Sequence, residues 1–150
     1  MSAFPAKLEE ILELFEGLPE TERREMLISF AENAHQHEPA DGQAFDIEDV
    51  RKDDECTDEV GVYLNVNEVG EARFKVRLGA KVQTLTRAMT SVLCRGLEGS
   101  TPEAVQEVPQ DFVPRIVGSE LVRLRSQTVY YVLTRMKGAC AVYLKRSKQA

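Results

Sequence analysis

The chain of 150 residues has the length of one domain, and at that length roughly 68 to 70% of the unfolded surface is buried on folding. An apolar fraction of 43% with 29% charged residues makes disorder and membrane spanning poor readings. The balance of 25 acidic against 19 basic residues, net charge -6, argues against a phosphate-tracking nucleic-acid surface and favours solubility.

After Pro5, residues Leu8, Ile11, Leu12 and Phe15 recur at helical spacing with Glu9, Glu10, Glu13 and Glu16 opposite, and Gly17 ends that helix. Pro19 suits a first helical turn, and Met26, Leu27, Phe30, Ala31 and Ala34 form a second stripe. The N-terminal unit is therefore expected to be two antiparallel helices. From His37 to Asp58 the periodicity disappears and acids accumulate, including Asp41, Asp46, Glu48, Asp49, Asp53, Asp54 and Glu55. A loop of that length suggests function, with a short strand around residues 45–51 breaking it up.

The clearest local signal follows. Val60, Val62, Leu64 and Val66 alternate with Gly61, Tyr63 and Asn65, Asn67 to Gly70 supply a turn, and Ala72, Phe74, Val76 and Leu78 alternate with charged residues. This is an antiparallel hairpin with one wet face. Val82, Leu85, Met89, Val92 and Leu93 then mark a third helix closed by Gly96 and Gly99. Thr101 caps a short helix opening at Pro102-Glu103, Pro109 and Pro114 bracket a turn anchored by Phe112, and a last helix is expected from about Arg125 to Leu144. On that helix Val129, Val132, Leu133, Met136, Cys140 and Tyr143 face inward, with Arg135, Lys137, Lys145 and Arg146 towards the other face or the end. The expected class is α+β, a small antiparallel sheet of about three strands packed on one face by helices, within a single domain over residues 1–150.

Three cysteines, an odd count with no CxxC pair, fit neither a disulfide framework nor a zinc finger. Cys140 continues an apolar stripe and Cys94 adjoins Val92 and Leu93, so both are expected in the core. Cys56 alone lies at a loop-to-strand junction. Its neighbours Asp53-Asp54-Glu55 and Asp58-Glu59 disfavour a thiolate, and on the residues alone an incidental loop cysteine is the simpler account. His35 and His37 diverge on a helix and have no second ligand pair at metal spacing, so they are expected at the surface. There is no P-loop, Gly-rich phosphate loop or GxSxG elbow. Arg123-Leu124-Arg125-Ser126-Gln127 is a basic cluster at the expected start of the last helix, where Ser126 would serve as an ordinary cap. The residues Met1 to Pro5 show no basic n-region or apolar h-region, which favours a reducing cytoplasm.

A helix pair, a loop, a cysteine immediately before a hairpin, a helix, Thr101-Pro102-Glu103 and Arg125-Ser126-Gln127 follow one another from about Leu8 to Cys140. This order resembles the SufE family of sulfur acceptors, which includes the CsdE proteins. Cys56 followed by Val60 looks like the family's cysteine and the strand after it, and Leu121 with Arg125-Ser126-Gln127 is similar to its Leu-x-Pro-Ser-Arg-Ser segment. Departures are Glu55 for the family's Gly, Asp58 for its Ser, Gly61 for its Trp and Arg123-Leu124 for its Pro-Ser; its Ser-Asp-Ala has no match near Ala80-Lys81.

The resemblance implies a SufE/IscU-like fold and a persulfide relay that activates a cysteine desulfurase. Cys56 would accept sulfane sulfur from the desulfurase, Arg125 would support its thiolate electrostatically, and the sulfur would pass to an iron-sulfur cluster scaffold. No cofactor, nucleic acid or membrane is implied. A rival from another class is a non-catalytic module that docks on a desulfurase or another protein through the acidic loop around Cys56. A third reading, a cysteine hydrolase using His35 or His37 as base, predicts a histidine-like midpoint in its pH dependence.

Overall fold

The computed structural model describes residues 4–52, 59–80, 82–117 and 119–149, with the backbone alone at 51, 52, 59, 119–129 and 149. The helices are α1 (Ala6–Glu16), α2 (Glu20–Glu32), α3 (Thr84–Gly96), α4 (Pro102–Gln106), α5 (Phe112–Val117) and α6 (Ser119–Gln149), and a 3-10 turn, Asn33–His37, follows α2. The strands are β1 (Ile47–Lys52), β2 (Glu59–Val66) and β3 (Ala72–Leu78), joined antiparallel in the order β1-β2-β3. Thus the chain is α+β, and the expected short strand before Cys56 is the third strand of the sheet. No helix among the described residues is long and apolar enough to cross a membrane.

The two-residue period of the strands divides the sheet into unlike faces. Pairing Ile47 with Leu64, Val60 with Leu78 and Val62 with Val76 puts Ile47, Val60, Val62, Leu64, Phe74, Val76 and Leu78 on one buried face. Helices α3 and α6 pack on it, α1 and α2 pack against α3, and α4 and α5 pack against α6. The opposite face carries Glu48, Val50, Gly61, Tyr63, Arg73, Lys75 and Arg77. There Tyr63 is nevertheless buried, because Phe45 packs on its ring at a centroid distance of 4.9 Å and the Arg77 guanidinium lies 5.8 Å from its centroid. Gly61 permits this: a Cβ at that position would stand 2.9 Å from the Tyr63 ring.

Local signals account for most boundaries. Gly17 follows α1, Pro19 precedes α2, and the Thr101 hydroxyl accepts from the Ala104 amide at 3.1 Å to cap α4. The hairpin turn closes through Gly70 at φ +88, a value that favours glycine.

Several expectations need correction. Helix α6 begins at Ser119, not near Arg125, so Arg125-Ser126-Gln127 lies within it and Ser126 is no N-cap. The stretch 119–129 contains no proline or glycine and includes Glu120, Leu121, Arg123 and Leu124, all good helix formers, so nothing stops the helix from extending towards its N-terminus. Pro114 lies inside α5, in the first turn, where its missing N-H costs no intrahelical bond. Arg135, expected on the outer part of the last helix, is instead buried. His37 is half-buried rather than at the surface.

Candidate functional site

The strand pair β1 and β2 keeps its register to the end, with Arg51 opposite Val60 and Lys52 opposite Glu59. Cys56 falls between these partners, in residues 53–58, which lie outside the described residues together with Glu55, Asp58 and Lys81. Arg125 is placed only as backbone in α6, with its side chain outside the described residues. The expected approach of Arg125 to Cys56 therefore has no described geometry.

Around the ends of the strands, two arginines fix the backbone. From α6, Arg135 donates through Nε to Asp49 Oδ2 at 3.1 Å, through Nη1 to the Val60 carbonyl at 2.6 Å, and through Nη2 to the Asp49 carbonyl. One planar guanidinium thus joins β1 to β2. Arg135 is only 1% exposed, and its guanidinium lies 5.4 Å from the centroid of the Tyr131 ring, one turn earlier on α6. From α3, Arg87 donates through Nε to the Val82 carbonyl at 3.1 Å and through Nη2 to the Gly79 carbonyl, holding the passage from β3 into α3.

Sequence reasoning missed Arg135 because arginine is mostly an exposed residue. A signal was present: Arg135 stands three residues after Val132 and four before Ala139, both buried positions of the same helix.

The other two thiols are where their spacing put them. Cys94 is 4% exposed and Cys140 0% exposed, and burial pushes each thiol up to about 12. His35 Nδ1 lies 2.8 Å from the Glu32 carbonyl, whereas His37 Nε2 is buried without a hydrogen-bond partner. Neither histidine is bonded to a described thiol, and the described residues contain no group of His, Cys, Asp and Glu able to hold a metal ion.

Comparison with known proteins places this architecture. The SufE profile, described as an Fe-S metabolism associated domain, matches residues 9–140. The chain belongs to the SufE family. A solution structure of a hypothetical protein from Thermus thermophilus is similar to this SufE chain at 28% identity, with a TM-score of 0.76 over 95% of this chain and 98% of that one. A crystal structure of a nitrogen-fixing NifU-like protein (N-terminal) from Brucella abortus is 16% identical, with a TM-score of 0.60 over 81% of this chain and 92% of that one. At that identity the second likeness concerns the fold alone. No curated protein matches the chain. As a SufE domain, the chain has a role in Fe-S metabolism.

Proposed function

We propose that this SufE domain relays sulfur for iron-sulfur cluster assembly in the cytoplasm, accepting sulfane sulfur on Cys56 from the persulfide of a cysteine desulfurase. The observation that carries the reading is the division of the thiols. Within an Fe-S metabolism domain, Cys94 and Cys140 are sealed in the core with thiol pKa values near 12, which leaves Cys56 as the candidate acceptor.

In the transfer, the Cys56 thiolate attacks the outer sulfur of the partner's persulfide. A new S-S bond forms at Cys56 as the partner's S-S bond breaks, and the partner's cysteine leaves as a thiolate. Electrons and atoms balance without an external oxidant, as in thiol-disulfide exchange. A thiolate of the downstream scaffold repeats the same step on the Cys56 persulfide. Arg125 serves as electrostatic support for the Cys56 thiolate against the acids around it.

The test is incubation with a cysteine desulfurase and cysteine, followed by alkylation and mass mapping. Extra sulfur on Cys56, absent after Cys56→Ser, is the expected result. Sulfur elsewhere, or full biological effect in Cys56→Ser, would transfer the case to the docking module.

A further inference from the structure

We infer that Arg135 is a positioning residue for sulfur uptake, acting through the two strands that lead into and out of residues 53–58. The inference rests on the persulfide-relay reading. Arg135 occupies a core position of α6, between Val132 and Met136, where an aliphatic side chain would pack without the cost of stripping water from a guanidinium. The desolvation is offset by three acceptors, and these are specific in origin: a carbonyl and a carboxylate from Asp49 on β1, and a carbonyl from Val60 on β2. The acceptors flank residues 53–58 on both sides, Asp49 four positions before Asp53 and Val60 two after Asp58.

A buried guanidinium bonded through each of its three nitrogens has one geometry, so it sets the separation and twist of β1 and β2 close to where β1 ends at Lys52 and β2 begins at Glu59. Packing alone would leave that root softer, because β1 is an edge strand held by β2 on one side only. Being 1% exposed, Arg135 does not meet a docked partner. Its effect therefore belongs to the orientation of the acceptor thiol within the complex and not to the affinity of the complex.

Single-turnover sulfur uptake separates these contributions. Persulfide-loaded desulfurase is mixed with the wild type, Arg135→Met, Arg135→Lys or Asp49→Asn, and Cys56 persulfide is followed by quenched alkylation and mass spectrometry across desulfurase concentrations. The expected result is a saturating rate constant about tenfold lower in Arg135→Met, with the half-saturating desulfurase concentration within about twofold of wild type. Smaller losses are expected in Asp49→Asn, which keeps both main-chain acceptors, and in Arg135→Lys, which keeps the charge without the fork.

A role confined to stability lowers the amplitude and the unfolding midpoint but leaves the rate constant of the folded molecules at the wild-type value, and that outcome overturns the inference. Should Arg135→Met fail to fold, the same comparison on Asp49→Asn and Arg135→Lys decides it. Wild type that takes no sulfur on Cys56 instead removes the relay reading, and the inference with it.

Discussion

Burial sets the reactivity of each described thiol. With pKa values near 12, Cys94 and Cys140 present roughly one thiolate in 10⁴ at pH 8, and neither is open to a reagent. Iodoacetamide at pH 8 is expected to leave both unmodified in the native protein and to label both in urea, with peptide mapping as the readout. Labelling of either in the native state would break the assignment of those thiols to the core. Gly61 and Tyr63 form the second decisive pair. A methyl at Gly61 drives into the Tyr63 ring, which is packed by Phe45 and Arg77, so Gly61→Ala is expected to cost about 1 to 3 kcal/mol in urea unfolding. The cost should shrink in a Tyr63→Ser background, because the clash is with that side chain; an unchanged cost would locate the strain elsewhere.

Between elements, the approach of α1 to α3 depends on the last residue of α3. A Cβ on Gly96 would lie 2.8 Å from Leu8 Cδ1 and 3.0 Å from Leu8 Cα, so a backbone would have to move. Helix propensity alone favours Ala over Gly by at most about 1 kcal/mol, and less at a helix end, whereas overpacking costs about 1 to 3 kcal/mol. Gly96→Ala is therefore expected to lower stability on balance, by denaturant titration; a gain would mean that the two helices slide apart freely. The hairpin, the strand before Cys56 and the first four helices were legible in the sequence, since alternation, stripes and caps are local patterns. The start of α6 was not. The stripe from Val129 and the cap chemistry of Ser126 suggested a helix opening near Arg125, but residues 119–129 hold no proline or glycine to stop the helix, and it runs back to Ser119.

Across the whole molecule, two described groups tie stability to pH with the same sign. His37 is held below the ordinary histidine value of 6.5, first by burial and then by Lys75 and Arg95. Its contribution is present above 6.5, where both states are neutral, and is lost as pH falls because the unfolded chain takes the proton first. Glu16 is held below its ordinary 4.5, chiefly by its hydrogen bond from Arg115, which also grips Glu9 and so joins α5 to α1. Its contribution is present above 4.5 and is lost as pH falls further. The thermal midpoint is expected to begin falling below about pH 6.5 and to steepen below about 4.5. His37→Gln should flatten the upper part of that curve, and an unaltered curve would acquit His37.

The sequence by itself determined the three strands, the first four helices, the buried face of the sheet and the core positions of Cys94 and Cys140. Those follow from periods of two and of 3.6 residues and from turn chemistry, all read over a few neighbours. The tertiary structure decided the role of Arg135 and the hidden state of Tyr63. Arg135 finds its acceptors 75 and 86 positions away in the chain, and a buried charge is stable only where such partners converge. That convergence is a property of how α6 crosses β1 and β2, and no local pattern encodes it.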